Sequence, residues 1–393
     1  MPNRRVRSHH ATHPRTGVAI ISAVLLMALL GITILAVDLS YVFWCHEQAQ
    51  TAADAGALAG AQVLMNDGRV KMVPEYVSGQ SDARATAAAY VSYNRIGIEN
   101  AVVNSNESNA SDGDIVIGYL RHPEDPTCAM EFDDPSMFNA VQVRVHRSSA
   151  ANGMVPAFFS RIWGNTGTRV SARATALMSD TIRGFKVTSE TGNAGILPFA
   201  LKESDWIALL AGAGSDQYSY TDSGLISGGS DGIREMNMYP LSNGSGGIAP
   251  GNFGTVDVGN PNNSTPDLER QILHGVSEED LSYFGGALML GDDGTLLLHG
   301  DTGVSAAIKD ELEAVMGQPR VILLYREVTG NGNTAEYTIV GFAGVRIMYV
   351  KLTGSMAEKR IVIQPSITVD GSAVIGNGSP QSKSVYSNVR MVR

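Results

Sequence analysis

Residues 17–64 read GVAIISAVLLMALLGITILAVDLSYVFWCHEQAQTAADAGALAGAQVL, and the rest of the 393-residue chain has to be understood from this stretch. Its first part, 17–37, holds no charged residue. At about 1.5 Å of rise per residue, a helix of that length spans roughly 30 Å, one hydrocarbon core. Arg4, Arg5, Arg7 and Arg15 precede it with no acid among them, whereas Asp38 follows at once and Glu47 and Asp54 come soon after. This asymmetry predicts residues 1–16 as a cytoplasmic basic tail, 17–37 as a transmembrane helix, and export of everything beyond about residue 40. A cleaved secretory signal is the competing reading, but its apolar centre is normally shorter, about 7–15 residues. The nearest small-residue pair, Ala53 and Ala55, lies well past the apolar run, so the expectation is an anchor that stays in place.

Beyond the run, residues 41–64 contain no proline and many alanines, which predicts that the same helix continues to about Met65. Tyr41, Phe43 and Trp44 fall where an interfacial aromatic belt belongs. The alanines either make a slim helix for close packing or simply reflect good helix propensity. Asp38, at the end of the run, either pairs with a cation on a neighbouring subunit or faces water. The same choice holds for Asp54, and both are candidate assembly contacts. Cys45 and Cys128 are the two cysteines of the chain. In an oxidising compartment they could pair, although Cys45 among Phe43, Trp44 and His46 also suits a small buried residue. Neither has a CxxC partner.

A second helix is predicted over 82–96 and strands over 114–120, 139–147 and 168–178, with a short helix over 154–163. In 139–147, Val141, Val143 and Val145 alternate with Gln142, Arg144 and His146, so one face is buried. Together these make a small pilin-like α+β unit covering 38–180. From residue 181 the texture changes. Glycine and serine concentrate between 212 and 254 as loop sequence, a helix is predicted over 304–316, and strands over 320–328, 337–350 and 360–369. The first two strands, separated by Gly330-Asn331-Gly332-Asn333, read as an antiparallel hairpin. The fold class is therefore α+β: an anchor helix running into an alanine-rich helix, the small unit, and a mostly β domain over 181–393.

Composition limits the chemistry. The 43 glycines and only 17% charged residues favour turns and short strands, and a formal net charge of -10 disfavours a nucleic-acid partner. The sequence has no His-Glu-x-x-His or Walker-type motif, and no catalytic, cofactor or metal residue is assigned. His274 with His299-Gly300-Asp301 could be assembled into a hydrolytic or metal site, but solvated loops explain them as well. Asp112-Gly113-Asp114 and Asp292-Asp293-Gly294 hint at calcium, yet acids beside glycine are common turn chemistry. An adhesin or ligand-binding module, with 212–254 as recognition loops, is the alternative to a structural protein.

With those residues in view, 17–64 resembles the N-terminal segment of TadE/TadG-like proteins of the Flp (tight adherence) pilus system. The resemblance rests on Arg15 and Gly17 before the span, Asp38 at its outer end, Gln48 or Gln50, and Ala52-Ala53-Asp54-Ala55-Gly56-Ala57-Leu58-Ala59-Gly60-Ala61. It implies an accessory pilus-assembly component without enzymatic activity, anchored by a single pass in the cytoplasmic membrane with its bulk periplasmic. Its implied partners are that membrane and other pilus or envelope proteins, with self-association through the N-terminal helix a further option and no cofactor. Prepilins of this system carry a glutamate five residues after the cleavage glycine. Here those positions are Ser22 and Ala36, which implies the unprocessed TadG side of the family. The metal motif of a von Willebrand A domain is incomplete in both Asp38-Leu39-Ser40-Tyr41-Val42 and Asp134-Pro135-Ser136-Met137-Phe138.

Overall fold

The computed structural model describes residues 15–125, 127–164, 166–221, 223–239, 254–259, 264–300, 306–330, 334–355, 358–376 and 381–392. Most of the basic tail, the 240–253 part of the glycine-rich stretch, residues 304–305 of the predicted 304–316 helix, Asp301 and turn residues 331–333 lie outside the described residues.

One uninterrupted helix, α1 (Arg15–Leu64), carries the entire opening stretch over 50 residues. Its two halves live in different surroundings. From residue 18 to 37 nearly every side chain is exposed, with Ile20, Met27 and Ile32 each at 66–70%. Past Asp38 the helix turns one face into a core: Cys45, Ala49, Ala52, Ala53 and Ala57 are fully buried. A second helix, α2 (Tyr76–Ser92), returns alongside it. Their approach is close because small residues face each other. A Cβ on Gly56 would lie 2.6 Å from Val91 Cγ2, and one on Gly60 would lie 3.1 Å from the Ala83 carbonyl, Ala87 Cβ and Val141 Cγ1. The alanine run therefore serves packing as well as propensity.

Both helices cover an antiparallel sheet ordered Arg390–Met391, Val170–Leu177, Ala140–Arg147, Ile115–Gly118. Val141, Val143 and Val145 point into the shared core, as their alternation requires. The predicted helix over 154–163 is not formed. Val155–Pro156 pairs instead with Gly167–Thr168, and only a single 3-10 turn, Ser160–Trp163, stands between them. Pro156 restricts only Val155, and the amides of residues 158–160 are taken by the Asp38 carboxylate in place of a helical ladder.

The later part of the chain centres on a six-stranded sheet. Its path runs Met236–Asn237, Arg360–Pro365, Glu336–Lys351, Pro319–Thr329, Ile196–Lys202, with Leu296–His299 also paired to the long central strand. The hairpin expected from 320–350 is present, antiparallel from Pro319↔Arg346 to Thr329↔Glu336. Val321, Leu323 and Tyr325 enter one core, while Ile322 and Leu324 enter another. This continuous apolar run marks a strand covered on both faces. Helices Glu203–Leu210, Thr265–His274 and Lys309–Ala314 lie among these strands.

Two features tie the later strands to the first sheet. The last strand, Arg390–Met391, crosses back to pair with Val170–Leu177. Just after α1, Asp67 accepts from Arg346 Nη1 at 2.7 Å, from the Ile367 amide at 2.7 Å and from Ser366 Oγ at 3.1 Å. Arg346 is buried, donates Nε to the Gly317 carbonyl, and lies 3.6 Å over the Tyr220 ring. Removing the acid would strand a buried guanidinium.

Two substitutions test this packing in the full-length chain. Gly60→Val should destabilise it by about 1–3 kcal/mol through overpacking, while Gln62→Ala, at an exposed position two residues on, should leave the melting temperature nearly unchanged. Asp67→Ala should cost about 2–4 kcal/mol, measured by denaturant unfolding, because Arg346 loses its partner.

Candidate functional site at the end of the apolar helix segment

Asp38 is the first charged residue after the exposed apolar run, yet it is only 9% exposed. Its carboxylate receives three successive amides from a segment far along the chain. Oδ1 accepts from Phe158 N at 3.0 Å and Phe159 N at 3.2 Å, and Oδ2 accepts from Phe159 N at 3.2 Å and Ser160 N at 2.7 Å. The 3-10 turn Ser160–Trp163 has no side-chain cap from its own N-cap residue, Phe159, so Asp38 supplies that cap in trans. The Ser160 amide leads the effect. Together with Phe159 and Phe158, and against the opposing desolvation, it holds the carboxyl below its ordinary range.

Aromatic rings gather around this contact. Tyr41, one turn along α1, meets Phe158 edge-on with centroids 4.9 Å apart and Trp44 at 5.7 Å. Phe43, Trp44, Phe158 and Phe159 nonetheless keep 41–62% of their surface exposed. Inward of the rings, Cys45 is sealed in the core, and burial pushes its thiol upward against the partial relief of Tyr41 and Arg147. Gln48 Oε1 accepts from Gly97 N at 2.7 Å, and Gly97 has φ +70, a backbone shape natural to glycine. That turn lies close to Tyr41: a Cβ at Gly97 would stand 2.7 Å from its hydroxyl.

The sequence raises Asp38 and Asp54 as assembly contacts, and the structure gives each an internal partner. Asp54 accepts from Gln50 Nε2 at 2.7 Å, one turn back on α1, and the same amide reaches toward the Arg173 carbonyl at 3.3 Å. Cys45 and Cys128 form no disulfide, because they belong to separate clusters: Cys45 lies in the core beneath α1, whereas Cys128 packs with Leu120, Ala140 and Leu177. The other candidates also find local roles. Asp114 accepts from Asn104 N, Asp293 from Thr295, and Asp292 pairs with Arg183 at 2.5 Å. His274 and His299 are exposed at the ends of a helix and a strand. Among the described residues, no group of three or more His, Cys, Asp or Glu is arranged to hold a metal ion.

Residues 17–63 match the family described as Flp pilus-assembly TadE/G-like, and residues 45–176 match the family described as Tad-like Flp pilus-assembly. Over residues 17–176, the chain belongs with the TadE/TadG-like family. No curated protein and no solved structure matches it. The matched region of this TadE/TadG-like chain runs from the apolar helix through Ala176, and so contains both Asp38 and the segment that Asp38 caps. Sequence reasoning missed this pairing because nothing local in Ala157-Phe158-Phe159-Ser160 calls for a distant carboxylate.

Asp38→Ala should speed amide exchange at Phe158, Phe159 and Ser160 while leaving the amides of the Ala140–Arg147 strand protected. The same protection should be pH-dependent with a definite sign. A carboxyl held low in the folded state stabilises it at neutral pH, and the benefit fades only as pH falls below the ordinary value of 3.8 toward the lowered one.

Proposed function

We propose that this TadE/TadG-like chain is a non-enzymatic, single-pass component of Flp pilus assembly, holding its folded mass against the outer face of the cytoplasmic membrane. The observation that carries the reading is the abrupt change along α1. The 18-residue apolar window has none of its surface buried within the protein, and the same unbroken helix then supplies the core of a folded unit. An exposed apolar helix of this length calls for a lipid partner rather than water. The arginines before residue 16 put the N-terminus in the cytoplasm. In this arrangement 1–16 is the cytoplasmic tail, 17–37 the membrane span, 38–180 the juxtamembrane pilin-like unit and 181–393 the β-rich part presented to pilus or envelope partners.

The work such a protein does is positional. Small residues on α1 let helix, helix and sheet pack tightly, and Asp67 passes that fixed orientation to the later strands through Arg346. The chain then acts through protein–protein contacts with no chemical step.

Deleting the chain from the cell that makes it should abolish surface Flp pili counted by electron microscopy, and the full-length chain should restore them. Restoration should be equal with a His274→Ala, His299→Ala double variant. Loss of piliation in that double variant, with normal protein level and melting temperature, would instead favour a hydrolytic role.

A further inference from the structure

We infer that the base of the first folded unit is itself a lipid-contacting surface, in which Phe158 and Phe159 from one turn and Ile98 from another sit in the interfacial layer of the bilayer that α1 crosses. This rests on the anchor reading and adds a second point of attachment to it.

Depth is the first argument. Asp38 directly follows the apolar run, and the backbone amides of residues 158–160 are hydrogen-bonded to its carboxylate. Whatever level Asp38 occupies, that turn occupies too. The second turn is fixed independently. Gly97 is held by Gln48 and lies against the Tyr41 hydroxyl, and Arg147 Nη1 donates to the Ile96 carbonyl at 2.7 Å. Along the helix axis Tyr41 stands about 4.5 Å and Gln48 about 15 Å beyond Asp38, so this turn lies above the first and reaches back toward it through the Tyr41 hydroxyl.

Exposure is the second argument. Phe158, Phe159 and Ile98 are 54%, 41% and 79% exposed, although all three adjoin a well-filled core. Three large apolar residues on two turns are thus exposed beside a helix that also shows Phe43 and Trp44. Trp and Tyr are favoured at the boundary between hydrocarbon and head groups, as Trp44 and Tyr41 stand here, and apolar Phe and Ile beside them favour the hydrocarbon side. Phe158 and Phe159, held at Asp38, adjoin the apolar surface of the helix below, which singles out lipid as the occupant.

Polar satisfaction is the third. Irregular backbone is costly near hydrocarbon unless its amides are paired. Here the carboxylate pairs the three amides nearest the apolar run, and the exposed Arg161 beside them suits phosphate head groups. An acid that would otherwise demand a cation thus makes the turn compatible with the interface.

The test uses the full-length chain carrying Cys128→Ser, reconstituted in vesicles of phosphatidylethanolamine and phosphatidylglycerol. Phe159→Cys, Ile98→Cys, Leu29→Cys and Tyr283→Cys each add one accessible thiol, Cys45 being fully buried, and each receives an environment-sensitive fluorophore. Nitroxide quenchers are placed on the lipids near the head group or deep in the acyl chain. The expected result is blue-shifted emission and loss of most fluorescence to the shallow quencher at positions 159 and 98. Position 29 should respond to the deep quencher and position 283 to neither. Should 159 and 98 behave like 283 while 29 is quenched, the anchor stands and this inference is overturned. Shielding of 159 and 98 from aqueous iodide without lipid quenching overturns it too, since a second copy or another protein would then cover them. If 29 also escapes quenching, the anchor reading itself fails.

Discussion

A single helix with one exposed apolar half and one half built into a core is the constraint on which the rest of this structure depends. At about 1.5 Å per residue, the 50 residues of α1 extend roughly 75 Å. No break separates the exposed apolar half from the half that builds the core. The fold therefore cannot rotate freely about the helix. The faces that carry Ala49, Ala52 and Ala53, and those that carry Gly56 and Gly60, set where α2 and the first sheet lie. Their small size draws the layers close, and that closeness makes the direction of the apolar half a property of the folded unit.

Carboxylates fix both ends of the packed half, and both do so by accepting backbone amides from distant segments. Asp38 receives residues 158–160, and Asp67 receives Ile367 together with the Arg346 guanidinium and the Ser366 hydroxyl. A carboxylate offers about four acceptor sites, so one side chain can complete a whole turn of irregular backbone. Asp38 needs no cation to be tolerated where the apolar run ends. Asp67 makes the later sheet an extension of the helix, and the returning Arg390–Met391 strand ties the chain a second time.

The readable part of the sequence was the part governed by period and composition. The apolar run, the alanine-rich continuation, the alternating valines of 139–147 and the hairpin over 320–350 each carry a local pattern that local geometry obeys. The 154–163 segment misled because its apolar residues lie at helical spacing, while Pro156 and the distant Asp38 dictate another conformation. Asp38 and Asp54 were visible as chemically notable, but their partners are set by tertiary approach, which no spacing encodes. For the same reason nothing in the sequence singled out Asp67. The pairing raised for Cys45 and Cys128 failed because the sheet keeps the two thiols in separate clusters, a separation that sequence distance does not reveal.

In the proposed topology α1 crosses a membrane with its arginines inside and its packed half outside. Thiol labelling of the full-length Cys128→Ser chain in cells tests it most directly, with one cysteine introduced at Ser8 and another at Tyr283. Tyr283→Cys should react with an impermeant reagent in cells whose cytoplasmic membrane is intact. Ser8→Cys should react only after that membrane is opened, with the full-length chain recovered in the membrane fraction. Reaction of both positions only after opening, or recovery of the chain as a soluble protein, would contradict the account.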